Sequence, residues 1–148
     1  MTWRVEFVVS HLDSLRELAT DMETGKVEAL VVLGGNPIHD TPADLRFGEC
    51  IKKIKLRIHN SLYFDETSAT CHWHVPETHF LEAWGDARAF DGTVTVLQPL
   101  IAPLYSSKSA LEVLAALNGQ SEKSGHDMVR EFWQRQSKDN PALARSFT

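Results

Sequence analysis

Hydrophobic positions change their spacing repeatedly along this chain, and each change marks a strand or a helix. Trp3, Val5, Phe7 and Val9 recur at every second position, the period of a strand. Leu12, Leu15, Leu18, Ala19 and Met22 then share one helical face, with Ser10 and Asp13 as the N-terminal cap and Gly25 as the stop. Val27 to Leu33 is a short, nearly continuous apolar run, which predicts a buried parallel strand. It stops at Gly34-Gly35-Asn36-Pro37, where glycines open backbone conformations closed to other residues. Thr41-Pro42 predicts the next helix start, with Thr41 as cap and Leu45, Phe47 and Ile51 facing a sheet. Ile54, Leu56 and Ile58 alternate with Lys55, Arg57 and His59, which predicts a strand nearer a sheet edge.

Asp65 to Thr70 predicts a short helix, Cys71 to Val75 a fourth strand and Thr93 to Gln98 a fifth. Pro99 and Pro103 keep the following stretch extended and irregular. Ser109 with Glu112 forms a capping box for a helix carrying Leu111, Leu114, Ala115 and Leu117, closed by Asn118-Gly119. Ser124 with Asp127 caps a last helix with Met128, Val129, Phe132 and Trp133. Strands alternating with helices predict an α/β fold: an open, largely parallel sheet covered by helices in three layers. Residues 1–137 are expected to form a single domain and residues 138–148 a loose tail.

Composition narrows the function. The chain has 148 residues, 43% hydrophobic and 24% charged, which suits a globular domain with its own core. A net charge of −5 argues against a general nucleic-acid or anionic-membrane surface, since both need excess Lys and Arg. Two cysteines, Cys50 and Cys71, neither build a disulfide framework nor supply an iron–sulfur cluster. No apolar run approaches the roughly 18 to 20 residues of a membrane span, so direct membrane insertion is not expected. The start, Met-Thr-Trp-Arg-Val-Glu, lacks a signal-peptide layout and passes straight into a strand, which suits a domain cut from a longer chain.

Chemistry concentrates between Cys71 and Gln98, which hold three of the seven histidines and two of the four tryptophans. The stretch predicts a short strand, a long shaped loop and a second strand. His72, His74 and His79 are candidate metal ligands, with Cys71 beside them, but their spacing matches no zinc pattern. The competing expectation is a hydrogen-bonded histidine cluster. His74 or His79 with Glu77, Glu82 or Asp86 could perform acid–base chemistry; alternatively Asp86, Arg88 and Asp91 pair or cap turns around Gly85 and Gly92. Gly34-Gly35 stands where ligands sit in open α/β sheets, beyond a strand's carboxyl end. Neither GxGxxG nor GxxxxGK is present, and there is no GxSxG or HExxH.

The order of these pieces is more specific than any one of them. Leu33-Gly34-Gly35-Asn36-Pro37 is followed by Glu66-Thr67, a strand ending at Pro76, Phe80-Leu81-Glu82, Gly85, Asp91-Gly92 and a strand leading to Gln98. From about Val27 to Gly119 the chain resembles the nucleotide-binding α/β domain of the molybdopterin oxidoreductase superfamily. The run from Cys71 to Val94, with Gln98-Pro99-Leu100-Ile101-Ala102-Pro103-Leu104-Tyr105, is similar to the molybdopterin-like, iron–sulfur subunit of alternative complex III, a respiratory quinol:electron-acceptor oxidoreductase.

That resemblance implies a Rossmann-like fold and a subunit at the periplasmic face of a bacterial membrane complex. It implies that any cofactor contact, to molybdopterin guanine dinucleotide, falls on Gly34, Gly35, Asn36 and Pro37. Cofactor-binding relatives carry an Asn and an Arg before the last strand, where this chain has Ala89 and Thr93. Losing an amide and a guanidinium weakens a site for an anionic dinucleotide. The expectation is therefore a non-catalytic scaffold domain with no catalytic residue, cofactor or metal of its own. Its partners are sister domains of the parent subunit and other subunits, met through the loop from Cys71 to Asp91, with Trp73 and Trp84 as anchors. The alternatives are a cofactor-binding domain of an active molybdenum oxidoreductase and an independent histidine-metal enzyme.

Overall fold

A computed structural model describes residues 10–139. The expected first strand, Trp3 to Val9, lies outside them, as does the expected tail beyond Asp139; Lys138 and Asp139 themselves complete a helix. The chain packs as two compact units, Met1–His74 and Val75–Thr148.

In the first unit, helix α1 spans His11–Glu23 and is capped as expected, Ser10 accepting the backbone N–H of Asp13 at 3.1 Å. Gly25 follows it at φ 75°. Strand β1, Ala29–Leu33, pairs in parallel with β2, Leu56–Ser61, from Ala29 opposite Leu56 to Leu33 opposite Asn60. With β3, Trp73–Pro76, they form a three-stranded parallel sheet in the order β1-β2-β3, flanked by helices, so the α/β class holds.

Three details differ from expectation. β2 is the central strand, because its polar residues are satisfied inside the protein rather than in water. β1 is only half-buried along its middle, because it ends the described sheet. The helix expected at Thr41-Pro42 begins earlier, with Pro37 in the first turn of α2, Pro37–Asp40, and Thr41 closing it. Pro42, lacking an N–H, stops that ladder. Short 3-10 turns at Ala43–Leu45 and Ile51–Lys53 flank α3, Phe47–Cys50, and Arg46 between them is left-handed at φ 47°.

The core of this unit is Ala19, Met22, Phe47, Cys50, Ile51 and Ile54, with Leu15, Leu18, Val27, Leu30 and Ile38 against it. It joins the apolar faces of α1 and α3, so burial of those periodic positions drives the packing. Helix α4, Glu66–Thr70, is capped by the Asp65 carboxylate, which accepts Ser68 N–H at 2.8 Å.

In the second unit, the fifth strand, Val94–Leu97 (β5), does not join the parallel sheet. It pairs antiparallel with β4, Gly85–Arg88, a strand that the alternation did not reveal. The connection through Ala89 to Thr93 is too short for a crossover, so an antiparallel hairpin is the available geometry. Gly92 turns it at φ 91°, and Asp91 accepts Thr93 N–H at 2.9 Å. Helix α5, Ala110–Leu117, has its full capping box between Ser109 and Glu112. Helix α6 runs Gly125–Asp139, with Ser124 accepting Asp127 N–H.

Candidate functional site

At the carboxyl ends of β1 and β2, a polar network surrounds the Gly34–Pro37 turn. Gly34 and Gly35 are left-handed, at φ 69° and 68°, as a turn leaving a strand this sharply requires. Gly34 N–H donates to Asn60 O at 2.7 Å, and Asn36 N–H to Asp40 Oδ2 at 3.3 Å. The Asn36 amide donates to Glu66 Oε2 at 2.6 Å and accepts the Thr67 hydroxyl at 2.7 Å. Thr67 Oγ1 also receives Ile38 N–H at 3.2 Å. The Asn36 hydrogen bond holds the Glu66 carboxyl below its ordinary range, so it is anionic at neutral pH.

Beneath the turn lies His59, fully buried. Its Nε2 lies 3.0 Å from Gly35 O, which can only accept, and its Nδ1 lies 2.8 Å from Ser68 Oγ. In the neutral ring these contacts fix the Nε2–H tautomer, with the Ser68 hydroxyl donating to Nδ1. Asp65 stands 3.5 Å from the same Nδ1. Burial alone pushes the Asp65 carboxyl up, but the Ser68 N–H and hydroxyl and the nearby His59 ring outweigh it, leaving it below the ordinary value. Serine, histidine and aspartate meet here, yet no nucleophile faces Nε2, whose proton is committed to a carbonyl. The arrangement organises a turn. Neither His59 nor Ser68 stood out in the sequence, because a histidine at an alternating strand position reads as solvent-facing.

The metal candidates do not gather into one site. His72 Nδ1 accepts Arg57 N–H at 3.1 Å, and its Nε2 lies 3.2 Å from the Arg57 guanidinium, whose positive charge opposes a metal ion. That guanidinium also caps the carbonyls of Thr70, Lys52 and Ile54. His74 Nε2 lies 3.2 Å from both Oγ and O of Ser61, and its ring meets Phe64 edge-on. His79 Nδ1 accepts Leu81 N–H and the ring packs on Phe80. Burial pushes the Cys71 thiol up, away from the thiolate a metal needs. Among the described residues no group of three or more His, Cys, Asp or Glu is placed to hold a metal.

The proposed acid–base partners are also engaged elsewhere. Glu82 accepts the backbone N–H groups of His79 and Leu104, latching the loop. Asp86 accepts the Trp133 indole N–H at 2.8 Å. Ala89 N–H donates to Thr93 O at 2.8 Å, so these two positions close the hairpin turn. Trp73 is 65% exposed. Trp84 is half-buried, packed against Gly125 and the His126 ring of its own unit.

The fold is α/β, with a glycine turn at the carboxyl end of β1, and sequence likeness adds a loose link to redox proteins. No protein-family model matches the chain. It is 28% identical over 109 residues to the molybdopterin-binding-like subunit of menaquinone reductase from Nitratidesulfovibrio vulgaris, an alignment covering 69% of this chain and 16% of that subunit. It is 26% identical over 103 residues to NADPH-Fe(3+) oxidoreductase subunit alpha from Geobacter sulfurreducens, covering 70% of this chain and 12% of that subunit. These likenesses support a loose relationship to molybdopterin-oxidoreductase-like proteins. The chain spans about a sixth or less of the length of these relatives. Among the described residues no helix is long and apolar enough to cross a membrane.

Proposed function

We propose that this chain is a non-catalytic scaffold domain of a membrane-associated respiratory oxidoreductase subunit, shaped like a molybdopterin-binding domain that has lost its cofactor. The observation that carries this reading is how the Gly34–Pro37 turn uses its donors. The amides of Gly34, Asn36 and Ile38 already donate within the protein, and Pro37 has none to give. Glu66 and Asp40 bring carboxylates to the same turn, where a pyrophosphate needs donors and positive charge. This donor set does not fit an anionic dinucleotide.

The exposed apolar side chains of the second unit support an assembly role. Phe80, Leu100, Leu104 and Tyr105 are each more than half exposed, and such surface marks contact with other protein. Those contacts are sister domains and neighbouring subunits, in a complex like alternative complex III at the periplasmic face of the membrane.

A second reading keeps the domain as a binder of molybdopterin guanine dinucleotide through Gly34, Gly35, Asn36 and Pro37. It is favoured by the two left-handed glycines and by the open space over Gly35, where nothing lies within 4 Å of a built Cβ. Thermal unfolding with GDP at about 1 mM separates the two. A site with a dissociation constant of about 10 µM adds about 2.7 kcal/mol at that concentration, several degrees in Tm. The scaffold reading expects no change. A rise of several degrees, abolished by Gly35→Val, overturns it.

A further inference from the structure

The second unit contains a cleft that neither reading uses. We propose that this cleft, between the β4–β5 hairpin and α6, binds a flat aromatic ring bearing a carboxylate. Its cavity is about 350 Å³, room for one or two fused rings, with Val96 and Val129 supplying apolar surface and Trp84 and Trp133 supplying indoles. Val129, Trp133 and the cationic Arg130 come from one face of α6, at helical spacing. The start of that helix packs against Trp84, whose Cβ lies 3.5 Å from where a Cβ on Gly125 would stand, an ordinary contact distance.

Both indoles are held in place before any ligand arrives. Trp84 meets the His126 ring edge-on at 4.8 Å, and Trp133 donates its N–H to Asp86 at 2.8 Å. Rings fixed in this way stack on a planar ligand with little loss of side-chain freedom.

The polarity of the cleft selects the ligand's charge. Arg130 lines the cavity, yet it makes no hydrogen bond or ion pair with any described residue; its charge contributes to holding the Asp127 carboxyl below its ordinary range. The Asp127 carboxylate is already held by the Ser124 hydroxyl at 2.7 Å and the His126 ring. The other nearby carboxylates are also engaged, Asp86 by Trp133 and Glu131 by Lys123 and Arg135. The uncommitted guanidinium pairs with a carboxylate through parallel N–H groups, and a cationic ligand is repelled by it.

The test is a titration of the full chain with 2-naphthoate, followed through backbone and indole N–H resonances. The expected result is saturable movement of the Trp84 and Trp133 indoles and the Val129 amide, with a dissociation constant on the order of 0.1 to 1 mM. The Trp73 indole, in the other unit, stays still. The neutral 2-naphthamide, and the variant Arg130→Gln with 2-naphthoate, each bind at least about tenfold more weakly. Arg130 is exposed, so that variant keeps the dispersed spectrum of the parent. Equal binding of acid and amide, or equal binding to the variant, overturns the carboxylate preference; no saturable movement at 10 mM or so, about ten times the weakest expected constant, overturns the site.

Discussion

The two units of this chain handle burial in opposite ways. The first encloses Met22, Phe47, Ile51 and Ile54 almost completely, and buries His59, Asn60, Thr67 and Ser68 above that core. The second buries only Ala115 and Val129 among its described hydrophobic residues, while Phe80, Leu100, Leu104 and Tyr105 stand exposed. Polar groups follow the same division. Around Gly34 the side chains of Asn36, Glu66 and Thr67 are bonded to one another, whereas Arg130 in the second unit has no hydrogen bond or ion pair with a described residue. A turn with a ligand-binding shape can therefore be closed chemistry, and an unremarked helix face can be open chemistry. The first unit closes over its core, and the second leaves large apolar side chains exposed.

Mutation sharpens that contrast. The largest effect is expected from Ile51→Ala, which empties a fully buried site and costs about 2–5 kcal/mol, read as faster amide hydrogen exchange across β2. A loss below about 1 kcal/mol breaks the picture of a tight first core. Next comes His59→Phe, which strands Gly35 O in the interior and takes from Ser68 Oγ its shortest hydrogen bond. It is expected to cost about 1–3 kcal/mol by the same measurement; unchanged protection shows that the network does not hold the turn.

A smaller, pH-dependent effect belongs to Asp65. Its carboxyl is held below the ordinary value near 4 in the folded state, so the folded state favours the ionised form. That contribution is fully present above the ordinary value and is lost as pH falls through the depressed one. Asp65→Asn keeps an N-cap and flattens this acid slope, while Asp65→Ala costs about 1 kcal/mol at neutral pH. Acid titration of both variants checks the sign; an unaltered slope in Asp65→Asn contradicts it. The smallest effect is expected from Leu104→Ala, within about 0.5 kcal/mol, because 72% of Leu104 is already in water.

Caps and periods carried most of the fold's legibility. Ser10 with Asp13, Ser109 with Glu112 and Ser124 with Asp127 each act locally, within one helical turn, and each stands where expected. Long-range pairing was not legible. Nothing near Asn36 announces that Glu66 and Thr67 will close on its side chain, and the alternation around His59 looks the same whether its polar face meets water or Ser68. β4 was hidden because Gly85-Asp86-Ala87-Arg88 has no apolar period; pairing with Val94–Leu97 makes it a strand. Prolines misled once, since Pro37 and Pro42 both suit a first helical turn and only the chain's exit from β1 chooses between them.

The most direct test of the central claim, that the Gly34–Pro37 turn is closed to nucleotides, is a residue-resolved titration of the full chain with GDP by amide resonances. The expected result at about 2 mM, some 200-fold above a 10 µM dissociation constant, is that Gly34, Gly35 and Asn36 do not move. Saturable movement of those amides, with the Glu66 and Thr67 signals following as their bonds to Asn36 open, contradicts the claim and makes this a working cofactor domain.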